Sequence, residues 1–233
     1  MEKLWLKNYS EGVPETIDTE RYSSLVDLIE TSFAKYPDKD AFTNLGVTLT
    51  FRELDEKSKQ FASYLQHILH LKRGSRVAIM MPNILQYPIA LYGILRAGMV
   101  AVNVNPMYTS RELRHQLSDS GAEAIVILAN FAHVLADVID ETPVRRILVT
   151  EIADLCPWPK RVLINRIVKS VKKMVPKFDL PQYDRFLDAL ERGKKKEFTK
   201  VEVGPEDIAF LQYTGGTTGV AKGAVLTHFN MVS

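Results

Sequence analysis

Residues 76–106, RVAIMMPNILQYPIALYGILRAGMVAVNVNP, carry one complete strand-helix-strand pattern. Val77 to Met81 is an apolar run broken by Pro82 and Asn83, after which Tyr87, Leu91, Ile94 and Leu95 recur at helical spacing. Beyond Gly98 the alternation of Val100, Val102 and Val104 marks a second strand, closed by Asn105 and Pro106. About thirty residues is the length of a parallel strand pair joined by a right-handed helical crossover. No residue between Arg76 and Arg96 is charged, but Pro82, Asn83, Gln86 and Pro88 interrupt the stretch, so it reads as strand, turn and helix rather than as a membrane span.

The unit repeats downstream. A helix through Arg111, Leu113 and Leu117 ends near Ser120-Gly121; Ala124 to Leu128 then reads as a strand, Phe131 to Ile139 as a helix and Arg146 to Val149 as another strand. Such alternation specifies an α/β fold, with doubly wound, mostly parallel sheets flanked by helices. Upstream, residues 1–20 lack periodicity and read as an irregular lead on the domain surface. Leu25, Leu28, Ile29 and Phe33 predict a helix ended by Tyr36-Pro37-Asp38, and residues 41–50 a hairpin turning at Asn44-Leu45-Gly46. Thr50, three residues before Glu53, sets a capping box for a helix through Leu54, Ser58, Phe61, Ala62 and Leu65.

Pro157 to Pro181 interrupts the alternation. Within 160–177, Leu163, Ile167, Val171 and Met174 share one helical face with Ile164, Val168 and Val175 beside it, while Arg161, Arg166, Lys169, Lys172 and Lys173 lie around the rest. This basic amphipathic helix either docks on its own domain or meets an anionic membrane surface. Gly193 to Lys200 reads as a solvated, lysine-rich loop.

A short strand, Ile208 to Leu211, leads into Tyr213–Ala224, YTGGTTGVAKGA, where four glycines, three threonines and one lysine fall in twelve residues. Gly215, Gly216, Gly219 and Gly223 let backbone N–H groups converge on an anion; Thr214, Thr217 and Thr218 add hydroxyls, and Lys222 a mobile cation suited to phosphate. Val220, Ala221 and Ala224 complete the stretch. The P-loop of nucleoside triphosphatases requires glycine before its lysine and Ser or Thr after it; Ala221 and Gly223 stand there instead, which disfavours that class and a phosphate-loop kinase. A flexible Gly/Thr linker is the plainer reading, opposed by strand signals on both sides, with Ala224, Val225 and Leu226 resuming the apolar run. Thr227 then caps a further helix.

The loop resembles the phosphate-loop signature of the adenylate-forming enzymes, which include acyl-CoA synthetases, luciferases and peptide-synthetase adenylation domains. LTFREL at 49–54 and LRAGMVAVNVNP at 95–106 resemble two earlier motifs of that family in their usual order. The resemblance covers essentially the whole chain and is strongest to long-chain fatty-acyl-CoA synthetases. It implies ATP-dependent activation of a fatty acid to acyl-adenylate and then acyl-CoA, with ATP, Mg²⁺ and CoA taking part and a homodimer of the full-length enzyme allowed. Tyr213 to Ala224 would hold the β- and γ-phosphates, and Thr214 matches the threonine that helps ligate the metal in related enzymes. The metal's glutamate, the adenine and ribose segments, the hinge and the adenylation lysine of the C-terminal domain have no counterpart here. Residues 1–233 are therefore expected to be the N-terminal portion of the large domain, without catalytic residues of their own. The alternative is a non-catalytic nucleotide-binding or regulatory module on half of the same fold.

Bulk properties narrow the classes further. With 46% apolar residues, the 233-residue chain has material for a sizeable core. The net charge of +2 conceals a basic segment, residues 145–200, where fifteen Lys/Arg stand against seven Asp/Glu. A local patch of this kind argues against a nucleic-acid-binding protein and for contact with an anionic surface. Cys156, the single cysteine, excludes an internal disulfide and reads as a core or loop thiol. His115 and His133 have no ligand neighbours at metal spacing. The first ten residues lack the apolar region of a signal peptide, so the expected location is cytoplasmic with peripheral membrane association.

Overall fold

The computed structural model describes residues 3–214 and 221–233. After a short 3₁₀ turn at Leu4–Asn8, helix α1 (Leu25–Lys35) starts at Ser24, whose side chain accepts from the Asp27 amide. It turns Val26, Ile29 and Phe33 inward. Strands β1 (Asp40–Asn44) and β2 (Val47–Thr50) pair antiparallel, with Asn44 opposite Val47. Leu45 and Gly46, both at positive φ (50° and 66°), make the two-residue turn whose twist suits a hairpin. Helix α2 (Phe51–His67) carries the expected Thr50/Glu53 capping box.

The unit at 76–106 forms as its pattern predicts: β3 (Arg76–Met80), α3 (Gln86–Arg96) and β4 (Val100–Asn103), the strands parallel with Val77 opposite Ala101. Helix α4 (Ser110–Ser120) opens on a Thr109/Glu112 capping box and ends at Gly121, at φ 63°. Then come β5 (Ala124–Leu128), α5 (Ala132–Ala136), β6 (Arg146–Thr150), α6 (Trp158–Arg166), β7 (Asp184–Arg185), α7 (Phe186–Lys194), β8 (Ile208–Thr214), β9 (Lys222–Thr227) and α8 (His228–Val232). Seven strands join one sheet in the order β7-β6-β5-β3-β4-β8-β9, and every pairing in it is parallel except β8 with β9.

Because the sheet is covered on both faces, its central strands are near-continuous apolar runs with polar residues only towards their ends, as in the fully buried AIVIL of β5. On one face Val77, Ile79, Ala101 and Val126 pack with α1, α2, α3 and α7; on the other Ala78, Met80, Val102, Ile125 and Ile127 pack with α4 and α5. Helices on both faces make the sheet doubly wound, as the alternation predicts.

The structure corrects three local expectations. The helix expected over Phe131–Ile139 breaks into a 3₁₀ turn, the five-residue α5 and a second 3₁₀ turn at Ile139–Glu141. The loop expected from Gly193 begins too early, since Gly193 and Lys194 close α7, a helix that the sequence pattern does not reveal. Gly193 is buried against α2, where a Cβ would overlap the backbone oxygen of Gln60, so close helix packing explains the glycine. The helix expected over 160–177 is regular only to Arg166 and continues as a π turn, Ile167–Val171; Lys173 is at φ 50°, and Pro176 forbids a restart.

Candidate functional site

All parallel strands deliver their carboxyl ends to one edge of the sheet, the edge at which doubly wound folds bind ligands. Strand β8 ends there at Thr214 and β9 departs at Lys222, the two residues being register partners. Direct partners in an antiparallel ladder point to the same face, so the Thr214 hydroxyl and the Lys222 ammonium stem from one side of the sheet. Both side chains are exposed, and Lys222 forms no ion pair among the described residues. Gly215, Gly216, Thr217, Thr218, Gly219 and Val220 lie outside the described residues. Ala221 and Ala224 flank the paired start of β9, Ala221 half-buried and Ala224 exposed.

On the same face as Thr214, polar side chains line the strand ends. The Tyr87 hydroxyl donates to Asn103 Oδ1 at 3.0 Å, and Asn103 Nδ2 donates to Gln212 Oε1 at 3.0 Å. Burial pushes the Tyr87 phenol up, so it remains a donor at neutral pH. This row places Asn103 and Gln212 next to the end of β8, and nothing in the sequence pattern marks either residue.

The opposite face holds the loop's base. Tyr213 turns its ring over its cross-strand partner Gly223 and donates its hydroxyl to Asp119 Oδ2 at 2.5 Å. Burial first, and the Asp119 carboxylate second, raise the Tyr213 phenol far above its usual range, so it stays protonated. His115, which the sequence marks only as a non-ligand, brings Nε2 to within 3.1 Å of the Ala221 carbonyl. A carbonyl only accepts, so the imidazole carries its proton on Nε2.

Tyr213, Thr214, Ala221, Lys222 and Gly223 are thus brought together. Packing gives a second reason for glycine at 223: it sits within β9 under the Tyr213 ring and is absent from the positive-φ glycines. An exposed cation and a hydroxyl at paired strand ends fit an anionic phosphate group. They supply at most one oxygen to a metal, and no cluster of three metal-binding side chains occurs among the described residues. Cys156 is buried and remote in sequence from these groups. The buried Nδ1 of His133 has no hydrogen-bond partner among the described residues.

The fold is a doubly wound α/β sheet with phosphate-suited groups at its carboxyl edge, and comparison with known proteins gives its family. The family model described as AMP-binding enzyme matches residues 29–233, and the chain belongs to that family. It is 56% identical over all 233 residues to the long-chain-fatty-acid–CoA ligase of Escherichia coli O157:H7 and 55% identical to that of Yersinia pestis. It spans 42% of the length of each. Among solved structures, a long-chain-fatty-acid-CoA ligase from Archaeoglobus fulgidus superposes with a TM-score of 0.70 at 28% identity, covering 96% of this chain and 40% of that one.

Proposed function

We propose that these residues are part of a ligase that activates long-chain fatty acids with ATP, forming acyl-adenylate and pyrophosphate and then passing the acyl group to CoA. The observation that carries the reading is 56% identity over the entire chain to a long-chain-fatty-acid–CoA ligase. The edge geometry supports it, because Thr214 and Lys222 present a hydroxyl and an exposed cation where β8 and β9 meet. In this reading Tyr213 to Ala224 is the ATP-binding loop: Lys222 and the amides of the glycine-rich stretch hold the β- and γ-phosphates while the carboxylate attacks the α-phosphorus. Thr214 would help ligate Mg²⁺, whose charge would offset that of the phosphates.

Residues 1–233 then belong to the large adenylation domain. The adenine, ribose and metal-carboxylate contacts, and the adenylation lysine, come from other parts of the whole protein, in keeping with relatives more than twice as long. Fatty-acid-dependent exchange of radiolabelled pyrophosphate into ATP by the whole protein tests the assignment. Absence of exchange with every long-chain acid tried would refute it.

The same reading includes peripheral contact with anionic lipid through 160–177. None of the residues of α6 or of the π turn is buried, and Trp158, Leu163, Val171 and Met174 are 71%, 60%, 72% and 55% exposed. The half-buried stripe Ile164, Asn165 and Val168 faces the domain, with Asn165 bonded to the Ala153 amide and to Asp154. An apolar stripe left outward within a segment of fifteen Lys/Arg and seven Asp/Glu, residues 145–200, suits an anionic membrane surface. Among the described residues no helix is long and apolar enough to cross a membrane.

A further inference from the structure

We infer that His115 and Asp119, one turn apart on α4, are positioning residues for the ATP-binding loop, acting through Ala221 and Tyr213. The inference rests on the proposed function of that loop but is carried by geometry of its own. Residues at i and i+4 share a helix face; here Asp119 reaches Tyr213 in β8 and His115 reaches Ala221, the residue before β9. Asp119 takes the Tyr213 hydroxyl, one residue before Thr214, and His115 donates to the carbonyl of Ala221, next to Lys222. The two contacts therefore bracket 215–220.

Helix α4 is a rigid post for this purpose. Leu113 and Leu117 are fully buried, Gln116 donates to the Asn103 carbonyl at 2.7 Å, and Arg76 donates to the Ser120 carbonyl at 2.8 Å. Strand β9, by contrast, stands last in the sheet order of the described residues, and its positions all lie at least partly in solvent. Its start is referenced to the core through β8 and through His115. Because Tyr213 and Thr214 point to opposite faces, the Asp119 carboxylate bonds on the face away from Lys222 and does not compete with an anion there. Precise placement of donors governs how well an anion is held, so loosening either contact weakens nucleotide binding before it unfolds the domain.

The test uses the whole protein with His115→Leu, His115→Gln, Asp119→Ala, Tyr213→Phe and the Asp119→Ala/Tyr213→Phe pair. Loss of the Asp119 contact is expected to raise KM for ATP about tenfold, the scale of one charge-assisted hydrogen bond, and loss of the His115 contact to raise it severalfold. KM for the fatty acid stays unchanged, His115→Gln, which keeps a donor, recovers most of the loss, and the double variant is no worse than either single one. An unchanged KM for ATP, an equal rise for both substrates, or no recovery with glutamine would overturn the inference. A second readout is independent of activity: hydrogen exchange of the 222–227 amides without nucleotide. Faster exchange confined to β8 and β9 in His115→Leu and Asp119→Ala, with β5 unchanged, supports positioning even in a protein that adenylates nothing, whereas unchanged exchange at β9 contradicts it.

Discussion

Gly223 lies against the ring of Tyr213: a Cβ on Gly223 would stand 2.9 Å from Cζ, 3.0 Å from Cε2 and 3.2 Å from the hydroxyl oxygen. The ring is a rigid neighbour, held at its hydroxyl by Asp119 and packed into the core beneath it. Gly223→Ala must therefore displace Tyr213 and lengthen its bond to Asp119, at a cost of about 1–3 kcal/mol by analogy with overpacked cores. Denaturant melts should show that loss. Combined with Tyr213→Ala, which vacates the space, the alanine at 223 should cost almost nothing further; full additivity would mean that the ring is not what excludes a side chain.

The pH dependence of stability should contain a step from His228. Burial lowers the pKa of this imidazole from 6.5, outweighing Asp207, which raises it, and its Nδ1 has no partner among the described residues. The folded chain thus resists a proton that the unfolded chain accepts, so this contribution is full above pH 6.5 and declines as pH falls below it. One such proton changes stability by at most about 1.4 kcal/mol per pH unit. Asp207, held low by the Gly204 amide and by Arg73, loses its contribution only as pH falls through and below 3.8. Guanidinium melts between pH 7 and 5.5 should give a shallower slope for His228→Gln than for the parent protein. Equal slopes would show that His228 titrates alike in both states.

Membrane binding through 160–177 should depend on lipid charge and on salt. Lys169, Lys172 and Lys173 are exposed, and each basic residue near anionic headgroups contributes about 1 kcal/mol. Changing all three to glutamine should sharply reduce co-sedimentation with vesicles containing phosphatidylserine and leave the melting temperature unaltered. Trp158→Ala should weaken binding at any salt concentration, because it removes apolar contact rather than charge. Equal binding to neutral and anionic vesicles would leave α6 as a surface element only.

Local signals were legible where neighbouring residues determine the outcome. The run from Val77 to Val104, the Thr50/Glu53 box and the Leu45-Gly46 turn depend on contacts within a few residues, and each formed as its pattern predicts. Helix α7 and strand β7 escaped because they are fixed from afar. The Phe186 ring packs tilted against Phe61, 5.2 Å between centroids, and the Tyr64 hydroxyl donates to Asp184. The glycine-rich loop announced itself by composition, but what holds its base did not. Tyr213 lies 94 positions from Asp119 and Ala221 lies 106 from His115, and a lone histidine on a helix carries no mark of a distant carbonyl partner.

The central claim is that Lys222 and the strand ends around it hold ATP phosphates during fatty-acid activation. The most direct measurement is pyrophosphate exchange into ATP, driven by a long-chain fatty acid, in the whole protein and in Lys222→Ala. The parent should exchange, and the variant should fall at least roughly tenfold, since each 1.4 kcal/mol of lost transition-state contact costs that factor. A Lys222→Ala protein that exchanges pyrophosphate at the parent rate would contradict the account.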